Sequence, residues 1–305
     1  FHMPKVMGHC LICGMATISG IFVYPIKSLR GIELDSAAVT DRGLQYDRRW
    51  MLVDDSGRFL SQREHPRMAL LHIRLEGDQL LVFPGNQPDQ ALPIPLDSEK
   101  LGEIAGSGSS SGSGFGSGSG SGSAVKNRTI DVTVWDDTMP AFLMGPQYDQ
   151  WFSDFLGFSA RLVYQQNTTR RVVDSRYTSQ EEITSFSDAY PVLLIGQASL
   201  DDLNSRLEQP VPMNRFRPNI VIKGWAPYQE DEIRYFQAGP IRFEAVKPCA
   251  RCVLTTVDQD SAIRGKEPLK TLASYRTKNN KVLFGQNLIY SGKGRIEKGM
   301  EVRII

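Results

Sequence analysis

The sequence predicts a mainly β protein of the α+β class. Short runs rich in β-branched and aromatic residues recur along the 305 residues, turn signals separate them, and only a few segments show helical spacing. This pattern is typical of barrels or sandwiches and disfavours a doubly wound parallel sheet. A chain of this length is long enough to form two domains of ordinary size.

The N-terminal half is predicted to consist mostly of strands. Its residue types indicate strands at 18–24 and 49–53, and the second of these is followed by a turn at 54–57. A hairpin is predicted over 69–83, with its turn at 76–78.

Two segments are set apart from this fold. The Gly/Ser tract 106–123 has almost no side chain to bury, which indicates a flexible or engineered linker. Residues 1–14 are interpreted as leader or vector-derived, with Met15 as the native start. The predicted domains are therefore 15–145, a β-barrel-like N-terminal domain, and 146–305.

After the tract, a strand is predicted at 129–135, followed by a helix that ends before Gly157. The helix is indicated by the spacing of Tyr148, Trp151, Phe152, Phe155 and Leu156. Ser199 is expected to cap a second helix that contains Leu200, Leu203 and Leu207. Further strands are predicted at 220–222, 241–246, 253–257 and 302–305.

Composition argues against several classes of function. The 35 Lys and Arg residues nearly balance the 34 Asp and Glu residues, so the formal net charge is +1. No overall basic field would attract a nucleic-acid polymer or an anionic membrane. No run approaches the roughly eighteen apolar residues of a membrane helix. Neither a secretory signal nor a transit peptide is visible, so a cytoplasmic location is expected.

The four cysteines form two C-x-x-C pairs, Cys10 with Cys13 and Cys249 with Cys252. A zinc site built from both pairs is one interpretation, weakened because the first pair falls in the segment interpreted as leader. Arg251 lies beside Cys252 and would favour its thiolate, which is the form that binds metals. The alternative is a buried structural cysteine pair in a strand.

Catalysis by a histidine base is weakly supported, because His72 lies in a strand pattern typical of a structural histidine. Basic residues, in contrast, recur in apolar or turn segments and could bind an anionic ligand if the fold brought them together. They include Lys27, Arg48, Arg63, Arg170, Arg171, Arg215 and Arg217.

A set of motifs occurs in order across nearly the whole chain after Met15. With these motifs the chain resembles the MOSC family, in particular the branch of the mitochondrial amidoxime-reducing components and their bacterial homologues. The matching segments are Val23-Tyr24-Pro25-Ile26-Lys27-Ser28 with Gly31, Asp47-Arg48-Arg49-Trp50, Phe186-Ser187-Asp188, Phe216-Arg217-Pro218-Asn219-Ile220-Val221, Cys249-Ala250-Arg251-Cys252 with Leu254-Thr255-Thr256-Val257, Glu267-Pro268-Leu269, and Phe284-Gly285-Gln286-Asn287.

The resemblance implies a β-rich N-terminal domain of the MOSC_N type and a C-terminal MOSC β-barrel with covering helices. It further implies a molybdenum–molybdopterin cofactor, with Cys252 as the metal ligand and catalytic residue. By the same resemblance the cofactor-binding residues are Lys27, Ser28 and Arg48 from the N-terminal domain, and Ser187, Asp188, Arg217, Asn219, Ala250, Arg251 and Asn287 from the MOSC domain. Ala250 stands where Ser is common, and Asn287 where an aromatic residue can occur.

The implied activity is the reduction of amidoximes, hydroxylamines and N-hydroxylated nucleobases by oxygen-atom abstraction at molybdenum. Some bacterial relatives continue into a ferredoxin-like domain, whereas this chain ends at Ile305. The expectation is therefore either a separate donor protein of the ferredoxin, flavoprotein reductase or cytochrome b5 type, or a C-terminal iron–sulfur domain that has been removed from this chain. The alternative is a carrier of the cofactor or of sulfur without turnover. From their charge and position, Arg63, Arg170 and Arg171 are expected to shape the entrance of the site.

Overall fold

The computed structural model describes residues 15–97, 128–178 and 181–305. The segment 1–14, which is predicted to be leader or vector-derived, and the Gly/Ser tract 106–123 lie outside the described residues. The elements before residue 145 are β1 Thr17–Val23, β2 Ile32–Leu34, β3 Ser36–Thr40, β4 Gly43–Leu44, β5 Trp50–Val53, β6 Leu71–Glu76, β7 Gln79–Pro84, β8 Leu92–Pro95, β9 Thr129–Val134 and β10 Asp137–Leu143.

The elements after residue 145 are α1 Pro146–Leu156, β11 Arg161–Tyr164, β12 Arg171–Val172, β13 Ile183–Thr184, β14 Val192–Gly196, α2 Gln197–Ser205, β15 Ile220–Lys223, β16 Tyr235–Ala238, β17 Ile241–Ala250, α3 Leu269–Tyr275, β18 Thr277–Lys278, β19 Lys281–Ser291, β20 Gly294–Glu297 and β21 Val302–Ile304. Short strands dominate and a few helices accompany them, so the predicted fold class is confirmed.

A barrel occupies the C-terminal part of the chain and includes the first strand. Its sheet runs in the order β2-β1-β15-β14-β19-β17-β16-β21. β14 and β15 are parallel, and the other neighbours along this path are antiparallel. A β-bridge joins Thr17 to Glu301, and the Val302 N–H donates to the Ala16 carbonyl at 2.8 Å. β1 thereby closes the barrel that the C-terminal strands build.

The second core lies outside the barrel. The sheet β5-β11-β10-β9 and the sheet β6-β7-β8 supply most of its side chains, with Trp50 fully buried among them. α1 packs on the same core through Phe152, and β11 pairs with β5. The division at residue 145 stays a prediction of the domain bounds, and the first two elements beyond it pack on the N-terminal strands.

Local chemistry explains why α1 begins and ends where it does. Pro146 occupies the first helical position, where a missing N–H has no cost. Tyr148, Phe152 and Leu156, four residues apart, form the buried face. Gly157 then adopts a left-handed conformation, and its N–H donates to the Ser153 carbonyl at 2.7 Å. The predicted helix and its end at Gly157 are confirmed.

Two predicted local features are wrong. Ser199 does not cap α2, because that helix begins at Gln197 after Gly196. The Ser199 hydroxyl instead donates to Glu230 Oε2 at 2.8 Å. Leu207 lies beyond the end of the helix, although it still packs on the same apolar cluster.

The strand predicted at 253–257 is a 3-10 helix over Val253–Thr256. Its apolar and β-branched residues favoured a strand, but two hydroxyls satisfy the carbonyls of the turn. Thr255 Oγ1 donates to the Cys252 carbonyl at 3.0 Å, and Thr256 Oγ1 donates to the Val253 carbonyl at 2.7 Å. Among the described residues, no helix combines the length and the apolar character that a membrane crossing requires.

Gly285 allows β19 to pass close to β14 and provides a test of the barrel. Its φ is +82°, and a Cβ there would lie 2.6 Å from the Leu194 carbonyl oxygen. Gly157 has a similar φ of +83°, but a Cβ there would have no atom within 4 Å. We expect Gly285→Ala to lower the free energy of unfolding by about 3 kcal/mol, from backbone strain plus overpacking. Gly157→Ala should cost about 1 kcal/mol, from strain alone.

Urea denaturation of both variants measures these free energies. Equal losses would contradict the close approach of β14 and β19, since the two positions differ mainly in their steric surroundings.

Candidate functional site

A cleft opens between the barrel and the N-terminal core. All the predicted site residues line it, namely Lys27, Ser28, Arg48, Ser187, Asp188, Arg217, Asn219, Ala250, Arg251, Cys252 and Asn287. Most of them lie in loops at strand ends, on a scaffold that fixes their backbones. The structure thus brings together residues that are up to 260 positions apart in the sequence.

Lys27 is buried and holds the loop at 186–188. Its Nζ donates to the Phe186 carbonyl at 2.8 Å and to Asp188 Oδ1 at 2.6 Å. Burial lowers the pKa of Lys27 to about 8, although Asp188 opposes this effect. Desolvation disfavours the charge on Asp188, yet the attraction of Lys27 holds the pKa of that carboxyl well below its usual range. Both partners are therefore ionised at pH 7.

Arg48 and Arg217 lie against the ring of Tyr24. Their guanidinium carbons are 4.6 and 4.2 Å from the ring centroid. Asp47 is almost fully buried and accepts from Arg48 Nη1 at 2.5 Å and from the Tyr24 backbone N–H at 2.8 Å. Burial lowers the pKa of Arg217 to about 10. Burial also disfavours the charge on Arg48, but the attraction of the Asp47 carboxylate is stronger and raises the pKa of Arg48.

Three of the predicted site residues have left-handed backbone conformations. The φ angles are +66° at Ser28, +52° at Arg48 and +54° at Arg217. Each such conformation costs a residue with a side chain about 1–3 kcal/mol and persists only where the surrounding structure enforces it. Backbone strain of this kind clusters at binding and active sites, so its presence around this cleft supports a functional role.

Cys252 follows the end of β17 and directly precedes the 3-10 helix. Its side chain is exposed, that of Cys249 is half-buried, and both thiols are free. A buried structural cysteine pair is therefore excluded. The position of Arg251 also differs from the expectation, because its Nη1 lies 3.0 Å from the sulfur of Cys249. Its Nη2 donates to the Phe216 carbonyl at 2.5 Å, so this cation is fixed between the end of β17 and the loop before β15.

The expected entrance arginines separate into different roles. Arg63 lines the cleft. Arg171 does not, because it is buried and donates to the carbonyls of Ser185, Ser187 and Asp188. Arg171 thus holds the loop that carries two predicted site residues. Arg170 is exposed and forms an ion pair with Glu181 at 2.7 Å, away from the cleft.

Other candidates from the sequence lie away from the cleft. His72 is half-buried with its Nε2 3.1 Å from Arg30 Nη1, and burial lowers the pKa of the ring. Cys10 and Cys13, which the interpretation as a zinc site requires, lie outside the described residues. Among the described residues, no group of three or more His, Cys, Asp or Glu side chains could hold a metal ion.

Sequence reasoning missed several residues of the site. Tyr24 supports two arginines but was assigned no role, and its one signal was its place in the motif at 23–28. Ser61 and Tyr190 line the cleft without any distinctive local pattern. Trp135, at the tip of the β9–β10 hairpin, donates its indole N–H to Asp188 Oδ1 at 3.2 Å. Its strand was predicted, but this contact was not.

Comparison with known proteins agrees with this architecture. The description "MOSC N-terminal beta barrel domain" matches residues 15–111, and "MOSC domain" matches residues 181–303. Mitochondrial amidoxime-reducing component 1 of Mus musculus is 31% identical over 302 residues, which cover 95% of this chain and 81% of that protein.

Two further relatives extend the comparison. Mitochondrial amidoxime reducing component 2 of Rattus norvegicus is 34% identical over 274 residues, covering 86% of this chain and 73% of that protein. Molybdenum cofactor sulfurase of Oryza sativa subsp. japonica is 31% identical over 292 residues, covering 90% of this chain and 32% of that protein. The chain belongs to the MOSC family, and the resemblance inferred from the motifs is confirmed.

The lowered pKa of Lys27 predicts how the cleft binds anions. Lys27 is cationic below about pH 8 and neutral above it, whereas an exposed lysine keeps its charge to about 10.5. Anion binding stabilises the protonated form, so affinity is highest below pH 8 and falls as the pH rises through that value. Sulfate is the probe, because its own charge is constant over this range.

Isothermal titration with sulfate between pH 6.5 and 9.5 measures the effect. Lys27→Met should bind sulfate more weakly and lose the step near pH 8, while Lys223→Met, at an exposed barrel lysine, should retain it. The same pH step in Lys27→Met would contradict the assignment of this titration to Lys27.

Proposed function

We propose that this protein is a molybdenum-cofactor-dependent oxidoreductase that reduces N-hydroxylated compounds, namely amidoximes, hydroxylamines and N-hydroxylated nucleobases. The observation that carries the proposal is the exposed thiol of Cys252 on the wall of a cleft lined by cations. Relatives that are named amidoxime-reducing components add support, since they match most of this chain.

The residues of the cleft fit a phosphorylated pterin that carries a molybdenum ion. Lys27, Arg48, Arg217 and Arg251 supply positive charge for a phosphate group. The thiolate of Cys252 is a soft ligand suited to such a metal. The Nε of Arg251 is buried and has no hydrogen-bond partner among the described residues. An unpaired buried donor in a cleft is expected where a ligand supplies the acceptor.

In this proposal Cys252 is the metal ligand and the catalytic residue. The pterin and its phosphate are held by Lys27, Ser28, Arg48, Ser187, Asp188, Arg217, Asn219, Ala250, Arg251 and Asn287. When bound, the cofactor supplies the redox chemistry by which an amidoxime, two electrons and two protons give an amidine and water. A separate protein of the ferredoxin, flavoprotein reductase or cytochrome b5 type delivers the electrons.

The protein itself holds the charged groups of the cleft in fixed positions. Tyr24 fixes Arg48 and Arg217, and Arg171 fixes the loop of Ser187 and Asp188, through contacts that require no ligand. The cationic groups are therefore in position before an anionic ligand binds, and no reorganisation is needed when it does.

Replacement of the two cleft cysteines tests the proposal. With benzamidoxime as substrate and reduced methyl viologen as electron donor, Cys252→Ala should lower turnover at least about 100-fold, because the metal loses a ligand. Cys249→Ala should cause a smaller loss, since its sulfur contacts Arg251. Thermal unfolding of both variants shows whether the fold is intact. Full activity without Cys252 would defeat the proposal.

A carrier of the cofactor or of sulfur is the alternative function. The similarity to a molybdenum cofactor sulfurase supports this alternative, because the match to that protein covers 90% of this chain. Retention of the cofactor together with no reduction of any N-hydroxylated compound, even with a strong artificial donor, would favour the carrier.

A further inference from the structure

We infer that Arg63 is a substrate-binding residue that selects N-hydroxylated compounds bearing a carboxylate or phosphate group, with Trp135 as the residue that positions it. The inference rests on the proposed function and defines its substrate class more narrowly. Arg63 differs from the other cations of the cleft in the hydrogen bonding of its terminal nitrogens.

The other cations are engaged by the protein. Lys27 donates to the Phe186 carbonyl and to Asp188, and Arg48 donates to Asp47. Arg217 donates to the Leu29 carbonyl at 2.7 Å, and Arg251 donates to the Phe216 carbonyl. Each of these side chains therefore has at least one terminal nitrogen in a hydrogen bond with the protein.

Arg63 is different because its terminal nitrogens are not engaged. Its Nε donates to Ser61 Oγ at 3.1 Å, and no hydrogen bond or ion pair involves Nη1 or Nη2 within the part of the chain that the structure describes. The side chain is half-buried and lines the cleft. Two parallel N–H donors in this arrangement match the two oxygens of a carboxylate or a phosphate.

Aromatic rings hold the Arg63 guanidinium in place. Its central carbon lies 4.0 Å from the centroid of the Trp135 ring and 5.6 Å from that of Phe59. Trp135 is itself fixed, since its indole N–H donates to Asp188 and its ring packs edge-on against Phe59 at 5.2 Å. The Trp135 backbone has a φ of +58°, a strained conformation for a tryptophan. The guanidinium is thus oriented by rings, and no carboxylate of the described residues accepts a hydrogen bond from it.

The backbone around Arg63 is tied to the segment that follows Cys252. Gln62 is fully buried, and it accepts from Gln259 Nε2 at 3.0 Å and donates to the Ser28 carbonyl at 2.8 Å. Arg264 donates to the carbonyl of Arg63. The loop that carries Arg63 therefore bridges the Lys27–Ser28 segment and the loop after Cys252, on the wall of the same cleft.

The place of Arg63 favours a substrate over the cofactor as the source of the anionic group. Lys27 and Arg217 are at most 7% exposed, whereas the neighbouring Trp135 is 47% exposed. Arg63 is of intermediate exposure and is thus more accessible to solvent than the buried cations Lys27 and Arg217, which are assigned to the pterin. A substrate that enters from solvent can therefore reach Arg63.

The test compares benzamidoxime with 4-carboxybenzamidoxime, which differ by one carboxylate, using the molybdenum-containing protein and reduced methyl viologen. We expect the KM of the neutral compound to exceed that of the carboxylated one about tenfold, the size of one charge-assisted hydrogen bond at a partly exposed site. In Arg63→Gln this ratio should fall to about one, and Arg63→Lys should restore part of it. Arg58→Gln is the matched control, because it removes an exposed arginine nearby that pairs with Glu64.

Trp135 variants separate positioning from general damage to the fold. Trp135→Leu should lower the KM ratio, because Arg63 loses its aromatic support, while Trp135→Phe should largely keep it. The molybdenum content of each variant is measured alongside. A ratio that stays at tenfold in Arg63→Gln, or that falls equally in Arg58→Gln, overturns the inference.

Three further outcomes have distinct meanings. If Arg63→Gln loses molybdenum, Arg63 binds the cofactor and the inference is wrong. If the wild-type protein reduces both compounds with equal KM, the inference fails and the proposed reductase function stands. If it reduces neither, the proposed function itself has failed.

Discussion

The insertion of β1 into the C-terminal barrel fixes the position of everything that lines the cleft. β1 lies between β2 and β15, and its first residues bridge to the segment before β21. The chain must then leave the barrel at Val23 and cross to the N-terminal core. The crossing segment is held on β5, because the Lys27 N–H donates to the Trp50 carbonyl at 2.8 Å and the Trp50 N–H donates to the Pro25 carbonyl at 3.0 Å. Lys27 and Ser28 therefore face the ends of barrel strands that come from far along the sequence.

This arrangement has an electrostatic consequence. Lys27, Arg217 and Arg251 are engaged largely by main-chain carbonyls, which satisfy their hydrogen bonds without cancelling their charge. Asp188 and Asp47 offset part of the positive charge, through Lys27 and Arg48. Burying uncompensated cations is unfavourable, so an anionic ligand in the cleft would offset part of that cost in free energy. The backbone strain at Ser28, Arg48 and Arg217 is a second cost that such a ligand helps to offset.

The sequence predicted those features that depend on local pattern. The apolar spacing of Tyr148, Phe152 and Leu156 and the stop at Gly157 indicated the helix α1, and the alternating runs indicated the strands. The strand predicted at 253–257 was wrong because Thr255 and Thr256 use their hydroxyls to satisfy a tight turn, which hydrophobicity and β-branching do not reveal. Closure of the barrel by β1 depends on pairing across almost the entire chain, and local patterns carry no information about it.

The functional site, too, could be predicted from local sequence patterns only in part. Its basic residues could be identified individually, but only the resemblance to a family indicated that they converge. The roles of Arg171 and Trp135 depend on contacts between distant segments of the chain. Arg171 is a buried support of a loop, not an entrance residue, because three carbonyls surround its guanidinium. Charge alone does not distinguish a cation that binds a ligand from one that holds the backbone.

The proposed function requires Cys252 to bind a molybdenum cofactor in this cleft. The most direct test is the molybdenum-to-protein ratio after expression in a host that makes the cofactor, combined with X-ray absorption at the metal to count its sulfur ligands. We expect a ratio near one in the wild-type protein and, in Cys252→Ala, a lower ratio and one sulfur ligand fewer on any molybdenum that is retained. No molybdenum in either protein, or an unchanged ratio and sulfur count without Cys252, would contradict it.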